Sequence, residues 1–279
     1  MCELLAISSR FPVTANFSLM KFAEHGGNTG PHRDGWGIAY YHGNDIQRIR
    51  EHQAAANSDW VRFIASHLFT SPLMIAHIRR ATRGERTLAN TQPFARELAG
   101  HMHVFAHNGD LPALFDLPSF QPHHYRPLGT TDSELAFCCL MDRLRAVWLN
   151  NNDTPSLTQR LAIVTDFAKE ICRHGPANFL YSDGEYLYAH AHRRTNPATN
   201  QLEAPGLHLL NRRCPTTTSS DTKIHGLSIS SEENSLILLA SVPLSEEPWQ
   251  ALEEGEIVVL KNGKRIVSPS INKDDTMLL

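Results

Sequence analysis

The sequence predicts a layered α+β domain. Strand-like apolar runs gather at both ends of the chain, two long amphipathic helices fill the middle, and no internal repeat divides it. Cys2–Ser8 is a short apolar run and reads as a strand at the N-terminus. Phe17–His25 has apolar residues spaced by three and four and stops at Gly26-Gly27, so a helix is expected. His25–Gly37 (HGGNTGPHRDGWG) is glycine-rich and reads as loop. Ile38–Tyr41, Leu73–Ile78 and His103–His107 read as buried strands, the last running into Asn108-Gly109, and Asp59–Leu68 as a helix. Thr131–Leu149 is the clearest helix. Thr131 and Glu134 match a capping box, and Leu135, Cys138, Cys139, Leu144 and Trp148 form an apolar stripe.

A second helix is expected from Thr154-Pro155, with Thr154 as cap, a face of Leu157, Leu161, Val164, Phe167, Ala168 and Ile171, and Gly175 at its end. Strands follow at Phe179–Ser182 and Tyr186–Ala191 around Asp183-Gly184, at Leu236–Val242, and in a hairpin over Glu256–Val267 turning at Asn262-Gly263. The polar stretches 193–206 and 214–223 read as surface loops.

At about 150 residues per domain the 279 residues would allow two domains, but single domains of about 200–250 residues are common. We read one domain over residues 1–271 and a tail over 272–279. Lys plus Arg number 26 against 29 Asp plus Glu, a net −3, which argues against a nucleic-acid binder that works by net charge. The most apolar run, Leu236–Val242, is far short of the roughly 20 residues of a spanning helix, and Glu3 follows Cys2 at once with no secretory segment behind it. Five cysteines make no disulfide framework, so reduced thiols and a cytoplasmic setting are expected, with no membrane and no nucleic-acid partner.

Cys2 is the first candidate for chemistry. Removal of Met1 would leave a residue with both a thiol and a free α-amine, whose ordinary pKa values are about 8.5 and 7.7–8.0. The amine can then serve as general base for its own thiol. With Met1 in place that nitrogen is an amide and cannot. The plainer reading is a small buried residue in a strand.

Five further blocks decide between the two. In order they are Asp34–Gly37 (DGWG), His77–Gly84 (HIRRATRG), Asn90–Phe94 (NTQPF), His107–Gly109 (HNG) and Gly129–Glu134 (GTTDSE). Together with Cys2 this order resembles the class II glutamine amidotransferases, and the wording is most like the small stand-alone bacterial group of the YafJ type. The motifs cover the first half of the chain.

The resemblance implies the fold of an N-terminal nucleophile (Ntn) hydrolase, an αββα four-layer sandwich of mostly antiparallel sheets between helices. It implies Cys2 as nucleophile and, through its amine, base. Arg79 would hold the α-carboxylate of glutamine, for which a guanidinium fork is suited. Thr82 would touch substrate beside it, and Asp132 would take the α-ammonium. The Asn108 side-chain amide and the Gly109 N–H would form the oxyanion hole. Read without the resemblance, Arg79 is a surface ion-pair residue, Asp132 favours a helix start, and Asn108-Gly109 is a turn. Trp36 reads as a packing residue near the site.

The expected activity is hydrolysis of the γ-carboxamide of glutamine or of a γ-glutamyl compound through a γ-glutamyl thioester. The alternative is a catalytically silent or partner-dependent relative that binds an amino acid as a regulatory subunit. No room remains for a synthase domain, so a separate ammonia-accepting or peptidase subunit is one open partner. Where relatives carry a tryptophan and a histidine, this chain has Arg80 and Arg83, which points toward a larger anionic γ-glutamyl substrate.

Other signals lead elsewhere. His101-x-His103 and His190-x-His192 would each suit a metal, but neither has a third ligand at a recognised spacing, so neither a metal nor another cofactor is expected. Cys138 and Cys139 lie on the helix stripe, which favours packing over a papain-like pair. No phosphate-binding glycine loop is present.

Overall fold

The N-terminal apolar run becomes the centre of a sheet because both of its faces have a core to enter. In the computed structural model, which describes residues 1–14, 16–67, 69–82, 84–149, 153–196, 199–213 and 235–266, β1 spans Glu3–Thr14. Leu5 and Ile7 enter one apolar cluster, and Leu4 and Ala6 another. The chain continues through α1 (Asn16–His25), β2 (Trp36–His42), β3 (Asp45–Glu51), α2 (Asp59–Ser66) and β4 (Thr70–Ile78). Next come β5 (Phe94–Leu98), β6 (His101–Gly109), α3 (Asp132–Leu149), α4 (Leu157–Ile171), β7 (Ala177–Ser182) and β8 (Leu187–His190). The last elements are β9 (Arg194–Thr195), β10 (Leu202–Glu203), β11 (His208–Arg213), β12 (Ser235–Ala240), β13 (Gln250–Ala251), β14 (Ile257–Lys261) and β15 (Lys264–Ile266).

Two sheets result, ordered β13-β11-β12-β1-β4-β2-β3 and β15-β14-β8-β7-β6-β5, with antiparallel neighbours throughout. Leu4, Ala6, Ala39 and Ile75 of the first sheet meet Val104, Ala106, Leu180 and Ala189 of the second in the middle layer. The outer face of the first sheet is covered by Leu19, Phe22, Val61 and Ile64 of α1 and α2, and that of the second by α3 and α4. This is the four-layer αββα sandwich of the Ntn hydrolases. Strands buried on both faces explain why the sequence shows continuous apolar runs rather than alternation.

Several elements differ from the sequence reading. The second long helix starts at Leu157, not at Thr154. Ser156 and Gln159 form a reciprocal capping box there, which satisfies two backbone donors and leaves Thr154-Pro155 outside. At α3 the box is half made. Thr131 Oγ1 accepts the Glu134 N–H at 3.3 Å, but the Glu134 carboxylate turns to the Gly129 N–H (2.7 Å) and to Arg96 (2.6 Å).

Strands β3, β5 and β11 had no prediction, and the stretch read as loop over 193–206 holds the β9–β10 ribbon. The tail 272–279, the loop 214–223, Arg83 and Cys214 lie outside the described residues. Among the described residues, no helix is long and apolar enough to cross a membrane.

Candidate active site

Cys2 stands half-buried just before β1, at the end of the first sheet where β1 lies between β12 and β4. The Arg80 N–H donates to Cys2 Sγ at 3.3 Å, and the thiol lies 3.4 Å from the Arg80 carbonyl. Burial pushes the Cys2 thiol up; the Arg80 backbone, the positive N-terminus and Arg79 oppose this, and Asp132 adds to it. The thiol therefore sits within the field of both Arg79 and Asp132.

The remaining blocks hold one another in place. The ladder between β2 and β4 runs one step beyond the strands, with Arg79 N–H donating to Gly35 O at 2.8 Å and Asp34 N–H to Arg79 O at 3.1 Å. The Asp34 carboxylate accepts the Ala81 N–H at 2.7 Å and pairs with Arg86 at 2.5 Å. The buried Arg79 guanidinium donates to the carbonyls of Glu85 (3.0 Å), Gly84 (3.1 Å) and Asp34 (3.4 Å).

Asn90 joins that turn to the GTTDSE block, donating to Glu85 O at 3.1 Å and accepting the Thr130 N–H at 2.7 Å. Gly129 must lack a side chain, since a Cβ would lie 2.1 Å from Asn90 Oδ1. Gln92 acts as a substitute strand for His107, donating to its carbonyl at 3.1 Å and accepting its N–H at 2.6 Å.

Asn108 and Gly109 are not a turn. They end β6 and pair with Asn178 and Ala177 of β7. Asn108 is fully buried; its Nδ2 lies 3.3 Å from Ser241 Oγ and its Oδ1 has no hydrogen-bond partner. Ser241 Oγ in turn accepts the Leu4 N–H at 3.0 Å, which ties Asn108 to the strand that carries Cys2. At Gly109 a Cβ would fall 1.7 Å from Pro176 O, so only glycine fits.

Asp132 opens α3. Its Oδ2 accepts the Leu111 N–H at 2.5 Å and its Oδ1 the Ser133 N–H at 2.8 Å. Thr82 is exposed and reaches Asp110 at 3.5 Å. All six residues singled out in the sequence thus converge on one end of the sandwich.

Five neighbours, Glu3, His25, His32, Arg194 and Ser241, were not anticipated. Glu3 bonds His25 Nδ1 at 2.7 Å, and His32 Nε2 lies 2.7 Å from the Met1 carbonyl. Arg194 donates to Ser241 O at 3.0 Å and lies 3.9 Å from Glu3. His32 had a local signal inside the glycine-rich block, whereas Arg194 and Ser241 had none.

His77 is buried between the sheets, where burial drives its pKa well below the usual value. His107 bonds Ser133 Oγ at 2.9 Å. Trp36 packs in the outer core and donates to Glu51 at 3.0 Å, in keeping with a packing role. His103 meets Tyr181 and His190 the Ala177 carbonyl. Among the described residues, no three His, Cys, Asp or Glu side chains group to hold a metal ion.

A family model for class II glutamine amidotransferases matches residues 1–277. The chain belongs to this family. YafJ of Escherichia coli K12, described as a glutamine amidotransferase, is 35% identical over 273 residues, which is 96% of this chain and 100% of that one. A Haemophilus influenzae protein with the same description is 34% identical over 271 residues, 95% of this chain and 86% of its own.

Among solved structures, a Pseudomonas aeruginosa amidotransferase superposes with a TM-score of 0.67 at 30% identity, covering 96% of this chain and 100% of that one. The Bacillus subtilis glutamine phosphoribosylpyrophosphate amidotransferase shares the fold alone, with a TM-score of 0.59 at 14% identity over 97% of this chain and 50% of its own. The Ntn-hydrolase fold and the family expected from the six motif blocks are both borne out.

Proposed function

We propose that the protein hydrolyses the γ-amide bond of glutamine or of a γ-glutamyl compound, with Cys2 as nucleophile. The observation that carries this reading is the placement of Cys2 Sγ against the Arg79–Arg80 backbone, within the field of Asp132. Removal of Met1 frees the Cys2 α-amine. A thiol whose pKa is pushed up by burial needs a base at hand, and that amine is attached to the same residue.

The amine takes the Sγ proton and the thiolate attacks the γ-carbonyl. Asn108 Nδ2 and the Gly109 N–H receive the oxyanion; Asn108 exchanges its long 3.3 Å contact with Ser241 for the stronger charged one. The C–N bond breaks as the α-ammonium protonates the leaving nitrogen, and a γ-glutamyl thioester remains. Water then attacks the thioester, the C–S bond breaks, and glutamate leaves with the thiol restored.

Arg79 exchanges contacts to neutral carbonyls for the substrate α-carboxylate, which its planar fork can bind bidentately with opposite charge. Asp132 holds the α-ammonium, and Thr82 lines the approach. Holding both ends of the amino acid places the carbonyl on the sulfur.

The test is intact mass before and after treatment with the glutamine analogue 6-diazo-5-oxo-norleucine. Loss of Met1 and one adduct mapping to Cys2 are expected. Retained Met1, or a processed Cys2 that never reacts, would overturn the reading in favour of a partner-dependent or silent amino-acid-binding subunit.

A further inference from the structure

We infer that the cavity beside the N-terminus is a subsite for the amine half of a γ-glutamyl amide, and that it selects amines carrying a carboxylate. This rests on the hydrolytic reading above and names its substrate class. The cavity measures about 610 Å³, and its walls include Met1, Glu3, His25, His32, Arg80 and Arg194. Ammonia, the leaving group of glutamine, needs about the 30 Å³ of one water. The cavity instead has the size of a site for a small organic molecule, about 300–1,000 Å³.

Its position follows from the chemistry. The leaving nitrogen must come within about 3 Å of the Cys2 nitrogen, which returns its proton. Met1 is bonded to that nitrogen and forms part of the cavity wall. Substituents on the leaving nitrogen therefore have this space open to them, and its walls include neither Arg79 nor Asp132, which take the amino-acid end of the substrate. Departure of Met1 enlarges the opening and takes away the carbonyl that His32 Nε2 holds at 2.7 Å.

The charge of the walls favours an anion. Arg80 is exposed and has no acidic partner among the described residues. Arg194 is mostly buried, and its Nε has no hydrogen-bond partner. Both guanidiniums bear on the Met1 amine, whose pKa falls chiefly through burial, with Arg80 and Arg194 lowering it further against the opposing pull of Cys2 and Glu3. The one carboxylate among the described wall residues, Glu3, is bonded to His25 at 2.7 Å and lies 3.9 Å from both Arg194 and His32, so two guanidiniums and two imidazoles share a single carboxylate. A carboxylate two bonds from the leaving nitrogen, as in a γ-glutamyl amino acid, fits this arrangement, with the guanidinium forks as its natural partners.

The experiment compares γ-glutamylglycine with γ-glutamylglycinamide, alike in shape but for the carboxylate, with glutamine as reference. For the full-length processed protein, kcat/KM is expected to favour the acid over the amide by about two- to fivefold, the scale of a partly exposed charge pair. Arg80→Met and Arg194→Met should each draw that ratio toward one; general losses of activity cancel in the ratio. Arg80 is exposed, so its variant serves if Arg194→Met fails to fold.

Equal kcat/KM for acid and amide, or a ratio unchanged in both variants, would overturn the subsite. A protein that hydrolyses nothing would overturn the hydrolytic reading instead. In that case the same ratio, measured as Kd by calorimetry on Cys2→Ser, decides the subsite alone.

Discussion

Replacing Asn108 with alanine separates activity from stability. The side chain is wholly buried, yet it makes one long hydrogen bond, 3.3 Å to Ser241, and its Oδ1 has none. Losing the bond costs about 0.5–1.5 kcal/mol. Removing a buried acceptor without a partner returns about 1–3 kcal/mol, and the small void left behind costs a comparable amount. The backbone carbonyl of residue 108 keeps its 3.1 Å bond from the Asn178 side-chain amide, and the main-chain pairing of residues 108 and 178 does not involve the side chain removed. The net change in stability is within about 1 kcal/mol, a Tm shift of about 2–4 °C.

The effect on turnover is far larger. An oxyanion donor of this kind is worth about 2.7–4 kcal/mol, or about 10²–10³ in kcat. The assay is ammonia release from saturating glutamine alongside calorimetric melting. Asn108→Asp, which puts a negative charge where the oxyanion forms, should be no better than alanine. A kcat within tenfold of wild type would refute the oxyanion assignment. A Tm drop above about 10 °C would refute the claim that Asn108 is held for function rather than for packing.

Gly109→Ala places a Cβ 1.7 Å from Pro176 O, and a backbone atom cannot move aside alone; a loss of about 3 kcal/mol or more is expected in denaturant melts, together with loss of turnover. Arg160→Met strips the partner, at 2.9 Å, from the fully buried Asp183, at a cost of about 3–5 kcal/mol or a Tm lower by about 6–20 °C. Burial already holds the Asp183 carboxyl above its usual range and loss of Arg160 raises it further, so the Tm deficit should widen as pH rises through that value and narrow in acid, as melts at about pH 5 and 8 would reveal.

His25 is held above its usual 6.5 first by its hydrogen bond to Glu3, so its contribution to stability is full below that value and is lost as pH rises through the folded one. NMR titration should place its midpoint above 6.5, and Glu3→Gln should lower it; an unmoved midpoint would break the assignment.

The parts of this molecule legible in its sequence are those where a residue's surroundings are set by near neighbours along the chain. Continuous apolar runs announce β1, β2, β4, β6 and β12, because each is buried on both faces. The stripe from Leu135 to Trp148 announces α3, and six short blocks announce the family and gather Cys2, Arg79, Thr82, Asn108, Gly109 and Asp132. Strand β3 gave no such signal, because Ile46 and Ile49 stand three residues apart on opposite faces of the strand and break the alternation of a half-buried strand.

Other features were decided only when the sheets assembled. Ser241 meets Leu4 because β12 pairs antiparallel with β1, and Arg194 reaches Glu3 and Ser241 across that same edge. Gly109 is required by Pro176, 67 residues later, and Asn108 is a strand residue because β7 extends far enough to pair with it. Such contacts join residues far apart in the chain through strand register and layer packing. A local period carries no record of them, so the cavity that would select the substrate belongs to the tertiary structure alone.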